Sequence, residues 1–262
     1  MEYKNILSSL VDKVAIITLH DPERLNSLNQ DMLAEIGDVI ESIRMGDDVR
    51  ALVLTGSGRA FSAGGDVRRM QNRFDEPPAA ARNRIRPFHS LIMSLRNLDR
   101  PVIGSINGPA IGAGCSLALA CDLRIASEKA KFAIPHVKLA LNPDGGGMHM
   151  LTRLIGTARA LELLLSGDII NADRAKEIGI VNRVVPHEEL EKASLEWATR
   201  LSAGPPYAMQ IIKSTVYKCF DIDLETELDM EAMAVPICLS TKDHREGVKA
   251  FLEKRNPTFK GE

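Results

Sequence analysis

The sequence predicts an α/β fold whose first two-thirds alternate strands with helices and whose last third is helical. Three observations carry that expectation. Short β-branched or leucine-rich runs recur at 14–19 (VAIITL), 51–55 (ALVLT) and 102–106 (VIGSI). Each gives way to a proline or glycine breaker and then to a helix-forming stretch. From 187 to 255 the strand signal fades and apolar residues recur at helical spacing. Strands that alternate with helices argue a sheet with helices packed on it, and helices that gather late argue an added layer.

The elements follow in order. Residues 14–19 read as a buried strand ended by Asp21 and Pro22. Asn29 or Asp31 caps a helix reaching Arg44, with Met32, Leu33, Ile36, Val39, Ile40 and Ile43 on one face. A second strand at 51–55 runs into Gly56, Ser57 and Gly58, and a polar helix begins at Val67. The charges, prolines and alanines of 72–82 suggest a mobile loop or lid, followed by a helix over 83–98. A third strand, 102–106, precedes Asn107-Gly108-Pro109, and 110–120 (AIGAGCSLALA) reads as one buried helix. Short strands are expected at 123–126 and 131–133, then a Pro-Asp-Gly-Gly-Gly turn within 141–147 and helices beyond.

Composition narrows the function classes. The chain has 262 residues, 45% of them hydrophobic, enough to bury a sizeable core. Its 33 basic and 35 acidic residues balance to a net charge of −2, so no global field attracts nucleic acid or an anionic membrane. Cys115, Cys121, Cys219 and Cys238 match no zinc or CxxC spacing and read as free, buried thiols in a reducing compartment. No metal site is expected. The N-terminal residues lack the apolar core of a signal peptide, and 110–120 is far shorter than the roughly 18 residues of a membrane helix, so a cytoplasmic location is expected.

Two glycine-rich segments carry the chemistry. Phe61-Ser62-Ala63-Gly64-Gly65-Asp66 and Ile111-Gly112-Ala113-Gly114 each follow a strand and open a helix. Glycine lets backbone N–H groups face a cavity without side-chain obstruction, and a helix N-terminus adds unpaired donors and partial positive charge. Side by side, the two loops can offer two N–H donors to one oxygen. Neither matches a dinucleotide or phosphate-loop fingerprint. On the residues alone they point to anion or oxyanion binding and no further.

These segments resemble the crotonase, or enoyl-CoA hydratase/isomerase, superfamily. The resemblance rests on Arg59 to Asp66, on Pro101 to Gly108 with Gly112 to Cys115, and on Cys121-Asp122-Leu123-Arg124. Leu165-Ser166-Gly167 and the C-terminal Arg245-Glu246-Gly247 extend it over essentially the whole chain. It implies a crotonase-like (ClpP/crotonase) spiral of ββα repeats over 1–195. It also implies a helical region over 196–262 for oligomerisation and active-site capping, in a homotrimer or dimer of trimers. The implied substrate is an acyl-CoA thioester, with coenzyme A entering as part of the substrate and no separate cofactor. The implied oxyanion donors are the Gly65 and Ala113 N–H groups. The implied coenzyme A contacts are Arg24, Ala63, Asp66, Val67, Arg68 and Lys254, with Arg24 and Arg68 suited by charge to phosphate.

Departures from the family pattern bear on the reaction. The two glutamates with which hydratases of this family handle water correspond here to Ser116 and His136. Ser116, on an apolar helix, reads as packing or as bonding back to its own helix. His136 reads either as a pocket wall or as an acid/base partner. Asp144 stands in Asn142-Pro143-Asp144-Gly145, where the hydratase pattern has glycine. By resemblance to the dienoyl-CoA and phenylacetate-degradation isomerase branches, this is the place of a working aspartate; by local sequence alone it is a turn residue. The leading expectation is therefore an enoyl-CoA isomerase acting through Asp144. A hydratase with an altered acid/base set, a thioester hydrolase or decarboxylase, and a non-catalytic acyl-CoA-binding protein stay open beside it.

Overall fold

The computed structural model describes residues 3–262. Its main sheet starts with a hairpin, β1 (Ile6–Val11) and β2 (Val14–Leu19), in antiparallel register with Val11 opposite Val14. Beyond β2 every pairing is parallel: β3 (Ala51–Gly56), β4 (Val102–Ile106), β6 (Leu123–Ser127) and β9 (Arg183–Val185) follow in that spatial order. A second, three-stranded sheet joins β5 (Ala110–Ile111), β7 (Lys131–Ala133) and β8 (Ile170–Asn171).

The central parallel strands β3 and β4 are buried on both faces because both faces are covered. Leu52 and Leu54 of β3 enter the larger core with Met32, Leu33, Ile36, Val39, Ile40 and Ile43 of α1 (Gln30–Met45). Asn29 starts α1, its Oδ1 accepting the Met32 N–H at 2.9 Å. The same core takes Phe88, Leu91, Ile92 and Leu95 of α3 (Pro78–Asn97), which follows the short α2 (Val67–Gln71). It also takes α4 (Ala113–Ala120), whose residues are all buried, and parts of α5 (Gly147–Ile155), α6 (Thr157–Ser166) and α7 (Ala172–Glu177). Alternate residues Ala51 and Val53 face the other way, onto Leu190, Trp197 and Ala198 of α8 (Leu190–Ser202).

The C-terminal layer is α9 (Pro206–Lys218), α10 (Leu224–Ser240) and α11 (Lys242–Glu253). A polar clasp fastens α9 to the core: Lys213 Nζ lies 2.7 Å from Asp122 Oδ2, and Tyr217 donates its hydroxyl hydrogen to the same carboxylate. Burial lowers the Lys213 pKa, opposed by the Asp122 charge. Neither α9 nor α10 buries any residue within the chain, and Ile212, Val216, Leu224, Leu228, Met233 and Ile237 stand exposed.

Several expectations change. The boundary expected between 195 and 196 falls inside α8, which Trp197 and Ala198 anchor under the sheet, so the core extends through Ser202. The helix expected at 110–120 is β5 followed by α4, because Ala110 and Ile111 pair with Phe132 and Ala133. Strands β1 and β9 were not legible: β1 shows water five of its six residues, and β9 has only three. The loop expected over 72–82 is shorter, since Pro78 opens α3 at a position where a missing N–H costs nothing.

Burial pushes the Cys115 and Cys121 thiols up to about 12, whereas Cys219 is exposed rather than buried as expected. Native protein treated with iodoacetamide at about pH 8 should therefore keep Cys115 and Cys121 unmodified until denaturant is added. Peptide mapping that finds either one alkylated in the native state would contradict this packing. Among the described residues no helix is long and apolar enough to cross a membrane.

Candidate active site

The first glycine loop is fixed from three sides. The Ser62 hydroxyl is buried, donates to the Asn26 carbonyl at 2.8 Å and accepts the Gly64 N–H at 3.1 Å. Ile111 N–H donates to the Ser62 carbonyl at 2.9 Å, which lays the loop along β5. Ala63 N–H donates to Leu25 O and Leu28 N–H to Gly64 O, at 2.9 and 2.8 Å. Asn26, fully buried, holds the approach by donating to Ser57 and Ala60 carbonyls at 2.9 and 2.8 Å.

These anchors press the loop against the start of α4. Gly64 has φ +78°, and a Cβ there would lie 2.5 Å from Ile111 O and 2.9 Å from Ala113 N. Only glycine admits that approach. Gly114 packs as closely on Ser62. Two donors are left over. Among the described residues neither the Gly65 nor the Ala113 N–H has a hydrogen-bond acceptor. Ala113 is the first residue of α4, so its N–H also carries the helix's positive end. The two N–H groups expected to act together thus belong to segments in direct contact.

A carboxylate and an imidazole stand beside this corner. His136 occupies a short 3-10 turn after β7, and a Cβ on Gly112 would lie 3.6 Å from its Cε1. His136 Nε2 is 3.5 Å from Asp144 Oδ1, too long for a hydrogen bond. Asp144 Oδ1 and His136 Nδ1 are both buried and both lack a hydrogen-bond partner. An unmet buried polar atom costs about 1–3 kcal/mol, more if charged, so each of the two has bonding capacity that the protein's own groups leave unused. Ser116, expected to serve in packing or to bond back to its own helix, donates its hydroxyl hydrogen to the Asp144 main-chain carbonyl at 2.9 Å. The Phe88 ring of α3 packs against Gly145 so closely that no Cβ fits there.

The expected coenzyme A residues divide. Arg24 is exposed at the end of the 3-10 turn Pro22–Arg24, next to Leu25, whose carbonyl receives Ala63 N–H. Asp66 accepts the Arg68 N–H at 3.0 Å and lies 3.4 Å from Arg69 Nε, so its carboxylate starts α2. Val67 and Arg68 are exposed on that helix. Lys254 ends α11, which packs on α10 in the C-terminal layer. Asn26, Ser62 and Phe88 escaped the sequence reading as supports of the site. Their cue is contact with segments 31 to 57 residues away, which no local pattern displays.

Residues 10–262 match the family model described as enoyl-CoA hydratase/isomerase. The chain is 37% identical to a crotonyl-CoA hydratase of Syntrophomonas wolfei, over 99% of both chains. It is 38% identical to a 1,2-epoxyphenylacetyl-CoA isomerase of Escherichia coli K12, over 98% of both. Its backbone superposes on the crystal structure of an enoyl-CoA hydratase from Bacillus anthracis with a TM-score of 0.93, at 37% identity and covering 99% of this chain and 100% of that one.

Proposed function

The chain belongs to the enoyl-CoA hydratase/isomerase family and has its crotonase-like α/β fold; from that premise we propose that it moves a double bond of an acyl-CoA thioester from the β,γ to the α,β position. The observation that carries this reading is the unpaired Asp144 Oδ1, beside a corner with two free N–H donors. Asp144 takes a proton from the α-carbon. The electron pair moves into the thioester carbonyl, and the resulting dienolate oxygen accepts hydrogen bonds from Gly65 and Ala113. The protonated Asp144 then delivers the proton to the γ-carbon, and the carbonyl re-forms with the double bond in conjugation. One carboxylate serves both carbons, and no water is activated. Its Oδ1 is buried although 32% of the side chain is exposed, so the proton is held on the buried oxygen between the two steps. His136, with its Nε2 3.5 Å from Asp144 Oδ1, screens the carboxylate.

Coenzyme A is held as part of the substrate in this account. The exposed guanidinium groups of Arg24 and Arg68 are its phosphate partners, Ala63, Asp66 and Val67 its neighbours along the loop, and Lys254 a further cationic contact. The uncovered apolar faces of α9 and α10 support assembly into a trimer or dimer of trimers.

A second reading, hydration of a 2-enoyl-CoA, is favoured by the hydratase names of relatives at 37% identity and by the imidazole 3.5 Å from Asp144. Ultraviolet absorbance separates the two. With 3-enoyl-CoA the proposal expects a rise as the conjugated thioester forms. A faster fall of that absorbance from 2-enoyl-CoA would favour hydration instead.

A further inference from the structure

We propose that Ser116 is a positioning residue, which holds the Asp144 carboxylate in register with the Ala113 N–H; this rests on the reading of Asp144 as the acid/base. Ser116 is fully buried, and its N–H donates to the Gly112 carbonyl at 3.1 Å. It therefore sits one turn along α4 from the oxyanion corner. Its hydroxyl does not close on that helix but crosses to the Asp144 carbonyl at 2.9 Å. A single helical turn thus carries an oxyanion donor at its start and the anchor of the carboxylate-bearing turn at its end.

The surroundings are shaped for this bond. A Cβ on Gly147 would stand 2.6 Å from Ser116 Oγ, so glycine at that position lets the hydroxyl through. The turn's other bond to the same carbonyl, from Gly147 N–H, is long at 3.3 Å. Phe88 closes the opposite side of the turn against Gly145. Without the hydroxyl, the turn keeps a weak bond and a one-sided wall, and the carboxylate is free to swing from the carbons it serves. Displacements of about 1 Å cost on the order of 100-fold in such reactions, so a partial loss of register is expected to cost about 10-fold.

The bond goes to the main-chain carbonyl, so it survives when the Asp144 side chain is changed. That separates folding from catalysis in a double-mutant cycle of wild type, S116A, D144N and S116A/D144N. S116A should lower kcat for 3-enoyl-CoA about 10-fold with KM within about twofold. It should lower the melting temperature equally in the wild-type and D144N backgrounds. In the D144N background it should change the residual rate less than about twofold. An unchanged kcat in S116A would overturn the proposal, leaving Ser116 as packing. An equal rate loss in both backgrounds would also overturn it, since Ser116 would then act on the oxyanion corner and not through the carboxylate. Full activity of D144N alone would remove the Asp144 reading itself and Ser116's role with it, a result distinct from either.

Discussion

Asp144→Asn should lower turnover of a 3-enoyl-CoA by about 100- to 10,000-fold, the usual range for removing a positioned acid/base group. The substitution keeps the shape of the side chain and removes only its proton chemistry. The main-chain carbonyl that receives Ser116 Oγ is untouched. Among the described residues the carboxylate makes no hydrogen bond on which folding could depend, and the imidazole of His136 stands 3.5 Å away. The melting temperature should consequently stay within a few degrees, and affinity for the product thioester should change little. Calorimetry and steady-state kinetics on the same preparation check both parts. A variant that keeps more than a tenth of the wild-type kcat would take Asp144 out of the chemistry.

Gly64→Ala should cost about 100- to 1000-fold in kcat, comparable to losing one oxyanion donor. The added methyl meets Ile111 O and Ala113 N at 2.5 and 2.9 Å, and the backbone there has φ +78°. Both effects push the two loops apart, and the Gly65 and Ala113 donors no longer converge on one oxygen. A stability loss of about 1–3 kcal/mol should accompany it, from strain and forced repacking. Circular dichroism distinguishes a folded, slow enzyme from an unfolded one. A folded Gly64→Ala protein with wild-type kcat would show that the contact between the loops does not set the donors.

The parts of this fold that were legible in sequence are those whose physics is local. Successive members of the apolar set of α1 are one or three positions apart, and all six are buried as that spacing requires. The runs at 14–19, 51–55 and 102–106 are continuous apolar strands because each is covered on both faces. The two glycine loops were legible as segments whose backbone N–H groups no side chain obstructs, and the Gly65 and Ala113 N–H groups have no acceptor among the described residues. What escaped depends on distant partners. Strand β1 is exposed along five residues and exists through its pairing with β2. Ala110 and Ile111 extend because β7 lies alongside, a pairing that apolar composition does not reveal. Ser116 reads as helix packing until the 142–146 turn is folded over it; its hydroxyl partner lies 28 residues away. The choice between Asp144 as turn residue and Asp144 as base likewise rests on its side-chain oxygen being buried and unpartnered, a property of the folded chain alone.

The central claim is that a proton, and no water, is moved at this site. It is tested most directly by running the reaction with 3-enoyl-CoA in water enriched in heavy oxygen and reading the product mass. The expected product is the isomeric 2-enoyl-CoA, formed without any gain of solvent oxygen and lost in D144N. A product heavier by one labelled water, formed as fast as the substrate disappears, would contradict the account and make the chain a hydratase.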